Sequence, residues 1–402
     1  MIKTLRLFLF FTFVSFSLTG CGNLLYLSKL GWHQSFITFH SVPIQEVLEK
    51  EEVEDEAKEK IRFVQEVKRY GEEKLGLTKT KNYSKYFEVK GPVLHVITAA
   101  EKDCLRLYHW DFPITGKVTY KSFFTKEGVL KEKQFLEAIG YDTFIQKAGA
   151  YSTLGWLKDP IFSSMLQWDE ATLANLILHE MTHATVYFKG QTDFNEQIAT
   201  FVGNQGAIDF LREKYGSGSQ EVVEAIHCQE DNLLFSQWID QTCQQLSHFY
   251  SVEISRDEKL RGREEFFQRL KEDFREKMAS FKTEGYKNFE KVDINNAVLL
   301  AYRRYIHRLE KFQALYNHLG NDIRRIIEFF KEIRASKAEP SSYLERWLEE
   351  KRIKSPPLNS SNLFQIIPNS NRPRFFKRST PNQMWRGDIF TFRLGGPFLA
   401  HE

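Results

Sequence analysis

The residues best able to do chemistry are His179-Glu180-Met181-Thr182-His183. On an α-helix, positions four apart lie one turn apart on the same face, so His179 and His183 can both offer an imidazole nitrogen to one zinc ion. Glu180 lies about 100° further round the helix. Its carboxylate then falls beside the metal rather than on it, where it can act as a general base toward water. No charged residue occurs between Glu170 and His179, and Met181 and Thr182 are neutral, as suits a helix buried behind a cleft. The pattern arises by chance in roughly two chains per hundred of this length and histidine content, so a third ligand is required. Zinc hydrolases use three protein ligands and keep a fourth position open. After the polar loop Lys189-Gly190-Gln191-Thr192-Asp193, a second helix is predicted to begin near Phe194, with Glu196 in its first turn. A helix-loop-helix brings that turn back to the first helix, which makes Glu196 the expected third ligand. Asp193 in the loop and His227, 44 residues beyond His183, are weaker rivals.

The rest of the chain must position this constellation. It has 402 residues, of which 42% are hydrophobic and 27% charged, enough for a substantial core in one large domain or two ordinary ones. A net charge of +3 argues against a dedicated nucleic-acid binder. The spacing predicts an amphipathic helix over 44–75. A sheet-containing part follows over 90–160, with strands at 93–97, 117–124 and 143–145, and Pro160 marks a break. The active-site helices span 168–215 and a helical part runs from 218 to 350. Its apolar stripes are Phe267, Leu270, Phe274, Met278 and Phe281, then Leu300, Ile306, Leu309, Phe312 and Leu315. The expected fold class is α+β: a small antiparallel or mixed sheet beside the active-site helix pair, followed by a mostly helical C-terminal part. Residues 351–402 form a basic, proline-rich tail with nine basic and two acidic residues. Its composition suits a loosely packed extension better than a contact with anionic lipid or cell-wall polymer.

The N-terminus reads as an export signal. Lys3 and Arg6 precede an apolar run from Leu7 to Leu18, too short to span a membrane. The ending Leu18-Thr19-Gly20-Cys21 resembles the lipobox of bacterial lipoproteins. That resemblance implies a signal peptide over 1–20, cleavage before Cys21, and acylation of Cys21 as a membrane anchor in the bacterial cell envelope, on the periplasmic side or at the outer membrane. Cys104, Cys228 and Cys243 then remain. Cys228 and Cys243, the closest pair in sequence, are either bridged or buried free thiols.

The Asn195-Glu196-x-x-Ala199 segment resembles the second zinc-binding motif of gluzincins. With His179 and His183 it matches the two-histidine, one-glutamate arrangement of thermolysin-like zinc peptidases. Residues 21–350 resemble a family of bacterial lipoproteins classed as aminopeptidases. The matching pieces are Trp110-Asp111-Phe112-Pro113 with Gly116 and Tyr120, Ala150-Tyr151-Ser152-Thr153-Leu154-Gly155-Trp156 with Asp159-Pro160, the histidine motif, and Phe194-Asn195-Glu196. The resemblance implies a single-zinc peptidase domain over 21–350 that acts on peptides, with Glu180 as catalytic base. It favours Tyr151 as oxyanion donor over Tyr187 and His227. An endopeptidase of envelope proteins and a non-catalytic, zinc-containing peptide-binding lipoprotein are the alternatives. An intact Glu180 argues against the second, since a structural metal needs no base.

Overall fold

The computed structural model describes residues 26–112, 116–152, 158–306, 309–354 and 392–393. The signal segment, Cys21, residues 153–156 of the resembling block and nearly all of the tail lie outside the described residues.

The chain opens with a helix over 26–40 (α1), a short strand β1 (Val42–Pro43), and helices α2 (Ile44–Glu49) and α3 (Asp55–Glu73). The single helix predicted over 44–75 is therefore two. Between Leu48 and Ile61 only Val53 is large and apolar, so nothing packs well enough to carry the helix through. In α3, Ile61, Val64, Val67 and Gly71 form the buried face.

The strands β2 (Lys85–Phe87), β3 (Leu94–Glu101), β4 (Trp110–Phe112), β5 (Gly116–Val118) and β6 (Lys121–Phe123) come next. Helix α4 (Lys126–Ala138) and strands β7 (Tyr141–Ala148), β8 (Tyr151–Ser152) and β9 (Ile161–Phe162) follow. β3 is the centre of an antiparallel sheet of order β6-β3-β7, with Leu94 opposite Ala148, Glu101 opposite Tyr141 and Val96 opposite Ser122. The single strand predicted over 117–124 divides: β5 turns back onto β4, and β6 joins β3. Alternation gives the sheet two distinct faces. Ile97 and Ala99 pack with Val129 and Leu136 of α4. Leu94, Val96 and Ala148 enter the main core.

From residue 170 the chain is helical, as its pattern predicts: α5 (Glu170–Thr185), α6 (Thr192–Tyr215), α7 (Gln220–Ser251), α8 (Arg256–Lys277), α9 (Asn296–Ile306), α10 (Leu309–His318), α11 (Ile323–Ser336) and α12 (Pro340–Lys354). The architecture is thus mixed α+β, with small sheets and a helical C-terminal part. The apolar stripe through 300–315 falls on α9 and α10, which flank residues 307 and 308, outside the described residues. A buried ion pair ties the C-terminal helices to the sheet. Arg263 of α8 grips Asp142 of β7 at 2.7 and 3.0 Å, and the Asn296 backbone N–H at the start of α9 donates to the same carboxylate at 3.2 Å.

Among the described residues Cys104, Cys228 and Cys243 form no disulfide; Cys243 is buried as expected, whereas Cys228 is exposed. Bridging of Cys228 to Cys243 is excluded because both lie on α7, where fifteen residues span about 22 Å. Among the described residues no helix is long and apolar enough to cross a membrane.

Candidate metal centre

α5 is built to be buried. Asp169 caps its start, accepting from the Thr172 N–H at 2.8 Å. From Leu173 to Thr185 every residue except Asn175 and Ala184 is buried. At the other end Arg334 of α11 donates to the Thr185 carbonyl at 3.0 Å, satisfying an acceptor the helix leaves open. His179, Glu180 and His183 therefore sit on a helix fixed at both ends.

α6 returns after a short bend, with Gly190 at a φ of +78°. Asn195 fastens the bend: its side-chain carbonyl accepts from the Phe188 N–H and its amide donates to the Phe188 carbonyl, both at 2.8 Å. The next residue is Glu196. Two turns further along the same face, Gly203 lets α6 lie against α5. A Cβ there would stand 2.9 Å from the Asn175 carbonyl oxygen and 3.1 Å from the His179 Cβ.

These contacts bring three donor atoms together. His179 Nε2 and His183 Nε2 are 3.1 Å apart, and Glu196 Oε2 is 3.4 Å from each. All three side chains are buried. A tetrahedral ion bound at 2.0–2.1 Å separates its ligand atoms by about 3.3 Å. The triangle matches that spacing, so these residues fit a zinc ion. Glu180 forms a second group with the same two histidines, ligand atoms within 4.8 Å of one another. The triangle with Glu196 is the tighter of the two groups.

The rival ligands stand apart from this arrangement in character. Asp193 is exposed at the start of α6, and His227 is half-buried on α7. Tyr151 is buried, and its hydroxyl donates to Gln34 Oε1 of α1 at 2.5 Å, so it would have to leave Gln34 to serve an oxyanion. Tyr187 is half-buried in the bend between α5 and α6.

A tyrosine that sequence reasoning passed over lies within electrostatic reach of Glu180. Tyr83 is buried, and burial followed by the Glu180 charge pushes its phenol well above the ordinary range. Its backbone is left-handed, at a φ of +60°, which is costly for an aromatic residue. The surroundings enforce it: the Tyr83 N–H donates to the Asp159 carbonyl at 2.7 Å, and Gln65 donates to the Tyr83 carbonyl at 2.7 Å. No motif surrounds Tyr83 in the sequence. The available signal was indirect, in the Asp159-Pro160 pair that supplies its clamp.

Residues 25–344 match the family model described as "Putative aminopeptidase". No curated protein and no solved structure matches the chain. The matched span includes α5, α6, the clamp at Asn195 and the three converging side-chain atoms, and the chain belongs to this aminopeptidase family.

Proposed function

We propose that the protein is a zinc-dependent aminopeptidase held at the bacterial cell envelope by a lipid on Cys21. The observation that carries the zinc assignment is the triangle of His179, His183 and Glu196 atoms at 3.1, 3.4 and 3.4 Å. A zinc ion held there supplies Lewis acidity, polarising a carbonyl and making water acidic near neutral pH. His179, His183 and Glu196 hold the ion. Glu180 removes a proton from the attacking water and returns it to the leaving amine. The burial of Glu180 keeps competing solvent away and strengthens its interactions with the reacting atoms. Tyr83 is our leading oxyanion donor, because its phenol lies in the field of Glu180 and stays protonated. Tyr151 is the alternative, at the cost of its bond to Gln34. The substrate class is peptides with a free N-terminus, a reading supported by the family description.

The test uses soluble protein from residue 22 onward and its Glu180→Gln variant, loaded with zinc. Both are incubated with a peptide library, half free and half acetylated at the N-terminus. Stepwise loss of N-terminal residues from free peptides only, reduced on the order of 10²-fold or more in Glu180→Gln with zinc retained, is the expected result. Internal cuts in both halves would make it an endopeptidase, and absence of any cut would favour a binding role. The anchor is checked separately: Cys21→Ala should lose the acyl mass and move to the soluble fraction.

A further inference from the structure

Away from the metal ligands, unpartnered polar groups gather on one face of the central sheet. Val96 of β3 stands between Ser122 of β6 and Gln146 of β7, and Thr98 stands opposite Phe144. Alternation puts Thr98, Ser122 and Gln146 on a single face. α9 covers that face. Asn296 bonds Asp142, Ala297 and Leu300 pack on Ala100, and the Tyr302 ring lies 6.0 Å from that of Phe144. Arg304 is one turn beyond Leu300 on α9. Its guanidinium carbon lies 5.0 Å from the centre of the Tyr120 ring, and its Nη2 makes long bonds of 3.4 and 3.3 Å to the Thr119 carbonyl and hydroxyl.

Arg304 is only 5% exposed. Its Nε and Nη1 are buried and have no hydrogen-bond partner among the described residues; neither do Thr98 Oγ1, Ser122 Oγ or either amide atom of Gln146. Arg304 has no carboxylate partner among the described residues. The neighbouring lysines do not share this face: Lys121 is opposite Ile97 and pairs with Glu132, and Lys147 is opposite His95. Asp142, the nearest carboxylate along the face, is held by Arg263.

A buried guanidinium without a counter-charge is strongly unfavourable. Water can complete hydroxyl and amide groups, but it cannot balance the charge. A monoanion does both. One cation surrounded by neutral donors matches a carboxylate rather than a dianion such as phosphate. We infer that this sheet face, where α9 covers it, is a carboxylate-binding site, with Arg304 as its charge partner and Thr98, Ser122 and Gln146 as hydrogen-bond donors. The same chemistry has two sources, the C-terminus of a peptide and a free small acid. The inference is independent of the zinc assignment.

Calorimetry on the protein from residue 22 onward tests it with three probes: acetate, acetyl-dialanine, and the C-terminal amide of acetyl-dialanine. At least one carboxylate should bind tenfold or more tightly than the amide. Preference for acetate identifies a free acid, and preference for acetyl-dialanine a peptide terminus. Arg304→Gln should weaken that binding at least tenfold and Ser122→Ala about threefold. A carboxylate held at the metal instead would bind Arg304→Gln as well as wild type, and that result overturns the site, as does equal binding of acid and amide forms. Without ligand, Arg304→Met should melt at a higher temperature than wild type, because an uncompensated buried charge is gone. A lower melting temperature would show that the charge is already satisfied and would also overturn the inference.

Discussion

Asn195 and Phe188 hold each other across the bend between α5 and α6 by two reciprocal hydrogen bonds of 2.8 Å. This explains why an asparagine stands directly before Glu196. Asn195 touches backbone, not the histidines, and it sets where the first turn of α6 begins. Asn195→Ala should weaken zinc binding about 10–100-fold, the usual consequence of removing a group that orients a ligand. Competition with a chromophoric chelator measures this, and circular dichroism checks that the helices remain. Wild-type zinc affinity in Asn195→Ala would remove this role.

Gly203 permits the close approach that lets Glu196 meet both imidazoles. The atoms a new Cβ would meet include a backbone oxygen at 2.9 Å and the His179 Cβ at 3.1 Å, neither of which can swing away. Gly203→Ala should therefore part the helices, costing about 1–3 kcal/mol of stability and a larger share of zinc affinity. Gly206→Ala is the control. There the new methyl meets side-chain ends, Leu178 Cδ1 at 3.0 Å and Leu75 Cδ1 at 3.2 Å, which can shift. Chemical denaturation and zinc titration of the pair should rank Gly203→Ala as the worse; equal effects would refute the packing account.

The parts of this site legible in the sequence are those governed by helical periodicity. His179 and His183 share a face through their spacing alone, and Glu196 follows because a short loop must return the chain. Tyr83 was not legible, since its position depends on Asp159 and Gln65, far away in sequence. The polar face near Arg304 was hidden for the same reason: strand pairing, not spacing, brings Thr98, Ser122 and Gln146 together. The break between α2 and α3 and the split between β5 and β6 depend on which neighbour each segment finds. Local pattern does not carry that information.

The pairing of Arg263 with Asp142 joins α8 to the sheet, with both side chains buried. Asp142→Ala would remove the buried partner of the guanidinium, leaving it the exposed Glu264 carboxylate and the Lys102 carbonyl, and would free the Asn296 N–H at the same time. The expected loss is about 3–5 kcal/mol, as for other buried pairs broken on one side. Urea unfolding monitored by fluorescence reads it directly. A loss below about 1 kcal/mol would mean that solvent reaches the pair and that the lock is weak.

His95 of β3 adds a pH dependence outside the metal centre. Burial, followed by the charges of Lys147 and Lys126, holds its imidazole below the ordinary value of 6.5, with Glu127 acting weakly the other way. The unfolded chain therefore binds a proton at higher pH than the folded one. Stability from this group is complete above the unfolded value and declines as pH falls below about 6.5, until the folded imidazole also takes up its proton. Other groups also change charge over this range, so the informative quantity is a difference. Melting temperatures of wild type and His95→Gln should diverge between about pH 7.5 and about pH 5, with wild type losing more on acidification. Parallel curves would show that His95 stays uncharged or finds compensation in both states, and its burial would then carry no pH cost.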